Sequence, residues 1–217
     1  MVNEWRRFKA DNIPGTMDLF PVFFQVFKPD WRILDLGCGP GRLCKRLVKA
    51  GYRSIYGMDV NEDAVYLARS RSQAAPYAVG DASALPYADS SFDGVFMQAV
   101  LTTITDPSDR RQTLREIARI LCRPGRLYMG VFGLTPEQPA YFARYQEGLK
   151  KGHPEGTFEV NDPETGRLLY LARHYTRDEI ESLLEEAGFG MLHYQAEVFT
   201  TRTGNRINGH VVVASVD

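Results

Sequence analysis

The stretch Ile33-Leu34-Asp35-Leu36-Gly37-Cys38-Gly39-Pro40-Gly41-Arg42-Leu43 constrains the fold more than any other part of this chain. Its apolar start reads as a buried strand, three glycines in five residues force a tight turn, and helical spacing follows. Glycine reaches left-handed backbone angles without steric cost, and its missing side chain lets a ligand lie against the main chain. The amides of a helix's first turn lack partners within the helix and favour an electron-rich ligand. Strand, turn and helix in this order therefore make a ligand-binding corner. Aligned on Gly37 and Gly39, the dinucleotide fingerprint G-x-G-x-x-G would put its third glycine on Arg42, where a long cation opposes close packing of helix on strand.

Acids follow at useful distances. A helix over about 41–50 leads to Ser54-Ile55-Tyr56-Gly57-Met58-Asp59-Val60, a second strand ending in a carboxylate. An acid about 20 residues beyond such a turn can accept hydrogen bonds from both hydroxyls of a ribose. Its alternative role is to cap the next helix, for which Asn61 and Asp63 are also candidates. A third short strand, in Tyr77-Ala78-Val79-Gly80-Asp81-Ala82, ends in Asp81, which also reads as a turn former. Ser91 to Val100 is a fourth, apolar strand. Asp106-Pro107-Ser108 opens a helix with Leu114, Ile117, Ala118 and Leu121 on one face. Arg123-Pro124-Gly125-Arg126 ends it before a strand over Leu127 to Phe132.

Together these segments resemble the class I S-adenosylmethionine-dependent methyltransferases. The G-C-G-P-G turn fits that family's pattern, Gly80-Asp81-Ala82 through Leu85-Pro86 is similar to its G-D-A-x-x-L-P segment, and His174 to Phe189 resembles its H-x-T/S-x-x-E-L-x-x-L-L-x-x-A-G-F segment, found in enzymes acting on small molecules, quinone-pathway enzymes among them. The resemblance is strongest over 33–132 and returns over 174–216. It implies an α/β three-layer sandwich, with a mostly parallel seven-stranded sheet ending in an antiparallel hairpin and an N-terminal helical lid. It also implies that Asp35, Gly37, Cys38, Gly39 and Gly41 surround the amino acid part of S-adenosylmethionine. Asp59 would take the ribose, with Met58 and Val60 against the adenine. Asp81 would accept the adenine amine and the Ala82 amide would meet a ring nitrogen. Gln98 and Leu101-Thr102-Thr103 would border the reaction centre. Thr102 and Thr103 stand where relatives carry histidines, and no Asn/Asp-Pro-Pro-aromatic motif ends the fourth strand, which disfavours nucleobase amines as acceptors.

The expected organisation is one domain over 1–217: a lid segment 1–29, a cofactor-binding core 30–132, an acceptor-side insertion 133–175, and a last helix with closing hairpin over 176–217. The lid segment holds Trp5, Phe8, Met17, Phe20, Phe23, Phe24 and Phe27, too apolar for a solvated tail; it either covers the site or packs on the sheet away from it. The insertion is longer than a simple connection needs. Thr176 to Glu179 is a capping box, and Met191–Thr201 and Gly209–Val216 form the hairpin around Thr203-Gly204-Asn205-Arg206. Candidates for a general base are His174, His153, Tyr145 and Glu159.

With 217 residues, 44% of them hydrophobic, the chain can bury a sizeable core. Three cysteines, Cys38 in the turn and Cys44 and Cys122 on expected helices, match neither a paired framework nor zinc-ligand spacing, so no metal is expected. No apolar run reaches the roughly 18 residues of a membrane span, and no secretory h-region is present, so a cytoplasmic location is expected. A net charge of −1 argues against a protein governed by nucleic-acid attraction. The basic residues Arg42, Lys45, Arg46 and Lys49, and Arg110, Arg111, Arg115, Arg119 and Arg123, read as solvated helix faces. Trp5-Arg6-Arg7-Phe8-Lys9 reads as a segment packed over the cofactor rather than an RNA-contacting arm.

The expected function is methyl transfer from S-adenosylmethionine, leaving S-adenosylhomocysteine, to a small organic acceptor. Alternatives are methylation of tRNA or protein, a non-catalytic cofactor-binding module, and a nicotinamide-dependent oxidoreductase; the last is opposed by Arg42 and the closing hairpin. No feature fixes an oligomeric state.

Overall fold

The structure, a computed structural model, describes residues 4–9, 17, 19–71, 75–162, 164–201 and 204–216. Its spine alternates strands and helices: α1 (Pro21–Val26), β1 (Arg32–Leu36), α2 (Arg42–Lys49), β2 (Ser54–Asp59), α3 (Glu62–Arg71), β3 (Tyr77–Val79), β4 (Phe92–Gln98), α4 (Pro107–Ile120) and β5 (Leu121–Phe132). There follow α5 (Pro139–Lys150), β6 (Thr157–Asn161), β7 (Leu168–Arg173), α6 (Arg177–Glu186), β8 (Gly190–Thr200) and β9 (Arg206–Val216). Seven strands form one sheet in the order β3-β2-β1-β4-β5-β9-β8, while β6 and β7 pair separately. The first five of that sheet are parallel, and β9 runs antiparallel between β5 and β8. This is the expected sandwich with its closing hairpin; Thr203 of the expected turn lies outside the described residues.

Period-two alternation splits the core into two layers. Ile33, Phe96, Tyr128, Val211 and Val213 face α1, α2 and α3, whereas Leu34, Leu36, Val95, Met97, Leu127, Met129 and Val212 face α4 and α6. Central strands buried on both faces read as continuous apolar runs, which is why β1 and β4 were legible. Register then aligns the strand ends: Leu36 lies beside Met58 on one side and Met97 on the other, and Gln98 lies beside Gly130. The glycine turn, Asp59, Asp81 and Gln98 thus share one edge of the sheet, where open parallel sheets bind ligands.

The N-terminal segment divides into two parts. Helix α1 packs in the core, with Phe23 stacked on Phe27 and edge-on to Phe96 and Tyr128. The one-turn helix Glu4–Arg7 instead reaches the strand ends, as described below.

Three expectations are corrected. β5 begins at Leu121, not Leu127: Leu121 pairs with Phe92, a bulge intervenes, and pairing resumes at Arg126. The Arg123-Pro124-Gly125-Arg126 stretch is therefore an irregularity inside a strand, and Cys122 lies on that strand rather than on a helix. The basic face of α2 is exposed as expected, but α4 is not a uniformly solvated face. Arg110 is buried and donates to the carbonyls of Ile104 and Thr105. Arg119 donates to the carbonyls of Leu85 and Tyr87 and to Asp89 and Glu116, while Glu116 accepts the Leu85 amide. Helical spacing places a residue on a face; it does not reveal a loop that crosses that face.

Arg119 thereby fastens to α4 the loop that carries Asp81. Replacing Arg119 by Ala leaves two loop carbonyls and Glu116 without their donor, with an expected loss of about 1–2 kcal/mol in urea unfolding at unchanged m-value.

Candidate active site

The turn after β1 is held from below. The Met58 carbonyl accepts the amides of Gly37 (2.7 Å) and Cys38 (3.0 Å), and Asp59 accepts the amide of Gly39 (2.8 Å) through one carboxylate oxygen and that of Asn61 (2.9 Å) through the other. Gly37, Gly39 and Gly41 have φ of 78°, 50° and 74°. A Cβ on Gly37 would lie 2.2 Å from Val100 Cγ2, so the turn packs directly on the residues after β4. Gly37 is exposed, whereas Gly39, Gly41 and Cys38 are buried.

Two acids lie beneath this turn. Asp59 is 4% exposed; burial pushes its carboxyl up, and the amides of Asn61, Gly39 and Val60 oppose that push. Its cap alternative falls away, because Asn61 Oδ1 caps α3 by accepting the Ala64 amide. Asp35 is buried on the α2 side, where the Cys44 thiol donates to it at 3.2 Å. Burial raises its carboxyl from 3.8 to about 7, the Cys44 bond opposes this, and the charge of Asp59 adds to it. Burial also pushes the thiols of Cys38 and Cys44 well up, which keeps both protonated and unreactive.

Asp81 lies two residues past β3 and is half-exposed. One of its oxygens accepts the Ser83 amide (3.0 Å) and hydroxyl (2.8 Å), and the other pairs with Arg6 Nη2 at 2.7 Å. Partial burial pushes this carboxyl up, but the Ser83 bonds and the Arg6 guanidinium outweigh it and hold it below the usual range. Val60, Ala82 and Gln98 are half-buried along the same edge. Met58 is corrected as an adenine contact: its side chain has no exposed surface, lies against Gly80 and belongs to the core layer of Leu34, Leu36 and Met97. Its place in the site is its carbonyl.

The four base candidates fall into two pairs. Tyr145 and His174 are buried together, with the Tyr145 hydroxyl 2.7 Å from His174 Nδ1. The Thr135 amide donates to the same hydroxyl, which leaves the phenolic hydrogen to donate to Nδ1. Burial, then the charge of Arg144, lower His174 to about 3, so the ring is neutral and its Nδ1 is occupied. Phe132, Tyr141 and Phe158 surround it. His153 and Glu159 are half-buried and lie 3.7 Å apart, with Lys151 2.5 Å from Glu159. Among the described residues no cluster of three or more His, Cys, Asp or Glu is arranged to hold a metal. A cavity of about 810 Å³ lined by Leu134, Tyr175, Val198, Asn208 and His210 lies by the closing hairpin, and neither the turn nor the three acids contribute to it.

Sequence reasoning missed Ala99 and Val100. Ala99 follows β4 with φ of 55°, a left-handed conformation strained for a residue with a Cβ, and its amide bonds to Gly130. An alanine carries no signal of such a backbone, whereas glycine or asparagine there would have.

A family model described as a methyltransferase domain matches residues 34–129. A demethylmenaquinone methyltransferase of Thermotoga maritima is 34% identical over 166 residues, covering 73% of this chain and 69% of that protein. The chain belongs to the S-adenosylmethionine-dependent methyltransferases. A solved S-adenosylmethionine-dependent methyltransferase of Methanosarcina mazei superposes with a TM-score of 0.88 at 36% identity, covering 92% of this methyltransferase and 99% of that chain. A ubiquinone/menaquinone biosynthesis C-methyltransferase of Laribacter hongkongensis is 28% identical over 77% of this chain and 70% of its own length. The donor set suits the family's cofactor, since Gly37 leaves the backbone of the turn exposed and each Asp59 oxygen accepts one amide and can take a further donor. No helix among the described residues is long and apolar enough to cross a membrane.

The raised Asp35 carboxyl favours its protonated form in the folded protein, so its contribution to stability is present below 3.8 and is lost as pH rises through about 7. Urea unfolding across that interval should show the methyltransferase weakening with pH, and the Asp35→Asn variant losing much of this dependence.

Proposed function

We propose that this methyltransferase acts on a small organic acceptor and grips its cofactor through the residues that meet at the edge of the sheet. The observation that carries the reading is the convergence of Asp35, Asp59 and Asp81 at the carboxyl ends of three adjacent strands, around a left-handed glycine turn. Asp35 and the turn would hold the amino acid part. Asp59 would receive the ribose hydroxyls: each of its oxygens accepts one amide and so keeps capacity for a further bond. Asp81 and the Ala82 amide would read the adenine, and Val60 would pack on it. Gln98 and the 101–103 turn would border the acceptor.

When bound, the cofactor supplies a sulfonium-activated methyl group to an acceptor lone pair aligned with the S–CH3 bond. The protein's own task is to align the two partners and exclude water, and placement of this kind contributes several kcal/mol to a barrier. With His174 neutral and tied to Tyr145, and with Glu159 paired with Lys151, we assign none of the four candidates the role of a base. The reading is therefore transfer governed by positioning. A small acceptor is supported by the aromatic insertion and by relatives named for demethylmenaquinone and for ubiquinone/menaquinone biosynthesis. None of the relatives described above is named for tRNA or protein.

Isothermal titration with S-adenosylhomocysteine, run beside NAD, tests the cofactor site. The Asp59→Ala variant should bind the homocysteine ligand roughly 10-fold or more weakly, because a hydrogen bond to a charged group contributes about 1.5–3 kcal/mol. Unchanged affinity would remove Asp59 from the site. Transfer of label from the donor to quinols or phenols, and not to tRNA or protein, would support the acceptor class; the reverse would sink it.

A further inference from the structure

Residues 4–9 lie across the edge that carries the three acids. Trp5 and Phe8 stack at 4.9 Å, and Tyr170 of β7 meets both rings edge-on at 4.9 and 5.6 Å. Asn61, two residues from Asp59, donates its side-chain amide to the carbonyls of Trp5 (2.9 Å) and Phe8 (2.7 Å) while its oxygen caps α3. Between these anchors Arg6 reaches Asp81. The oxygen it takes is the informative one. Ser83 already occupies Oδ1 with its amide and hydroxyl, which leaves Oδ2 as the acceptor facing a ligand, and Oδ2 is where Arg6 sits.

We propose that residues 4–9 form a latch on the cofactor site, in which Arg6 holds the Asp81 oxygen that the adenine amine takes over. This rests on the assignment of Asp81 given above. Without cofactor, the guanidinium satisfies a carboxylate that would otherwise face solvent, and the aromatic trio with Asn61 sets the segment in place. With cofactor, Arg6 must leave Oδ2. The pair is exposed, at 53% and 41% for the two side chains, and exposed pairs are weak. Displacement therefore lowers cofactor affinity by only about two- to five-fold, a mild brake and not a block.

The test is isothermal titration of the full chain with S-adenosylhomocysteine at about 0.02 M and about 0.3 M sodium chloride, since salt screens exposed charges. Arg6→Gln should bind roughly two- to five-fold more tightly than the natural chain at low salt, with the advantage shrinking at high salt. Arg6→Lys keeps the charge and should behave like the natural chain. Equal binding by Arg6→Gln would overturn the latch while leaving the cofactor site intact, and weaker binding would overturn it by making Arg6 part of the site. If the natural chain does not bind S-adenosylhomocysteine, the cofactor reading and the latch fall together.

Discussion

The Asp59 carboxylate ties together the segments that follow β1 and β2 by accepting the Gly39 and Asn61 amides, and the shape of the whole ligand edge depends on it. A carboxylate with 4% exposure is costly unless its lone pairs are met, and here two backbone amides meet them. Together with the Met58 carbonyl, which takes the two preceding amides of the turn, this fixes a left-handed loop that local propensity alone would leave open. The corner is therefore held by bonds within the chain, and preorganisation of this kind lowers the ordering cost of binding. Asp35 completes the arrangement from below, held near neutrality by its burial.

Much of this was legible in the chain. The apolar runs around Ile33 and Val95, the glycine spacing and the acids at strand ends are patterns fixed by backbone geometry, and geometry of that kind repeats. What stayed hidden depends on tertiary neighbours. Met58 sits next to Asp59 in sequence, but strand alternation turns its side chain to the opposite layer. Arg119 looks like a surface cation until the loop at Leu85 and Tyr87 is seen crossing its helix. Cys122 falls on a strand because β5 restarts across a bulge, and Ala99 adopts an angle its identity does not announce.

The insertion shows the same division. Its length marked it as an acceptor-side insertion, yet Tyr145 and His174, both base candidates in a linear reading, satisfy one another in the interior. A buried polar pair is stable when each partner answers the other, and reactive when one is left facing a ligand. In the second pair, His153 and Glu159, the carboxylate is taken by Lys151. Chemistry on the sheet edge accordingly falls to geometry more than to proton transfer.

One feature of the sheet bears on how the chain is made. β9 follows every other described element in sequence, yet it lies inside the sheet, paired with β5 on one side and β8 on the other and almost wholly buried. During synthesis β5 therefore presents an open edge while α5, β6, β7, α6 and β8 emerge. The apolar layer of Leu127, Met129 and Val131 has no neighbour in Val212 and Ala214 until β9 leaves the ribosome. Such late, long-range closure slows folding and exposes strand edges to mispairing.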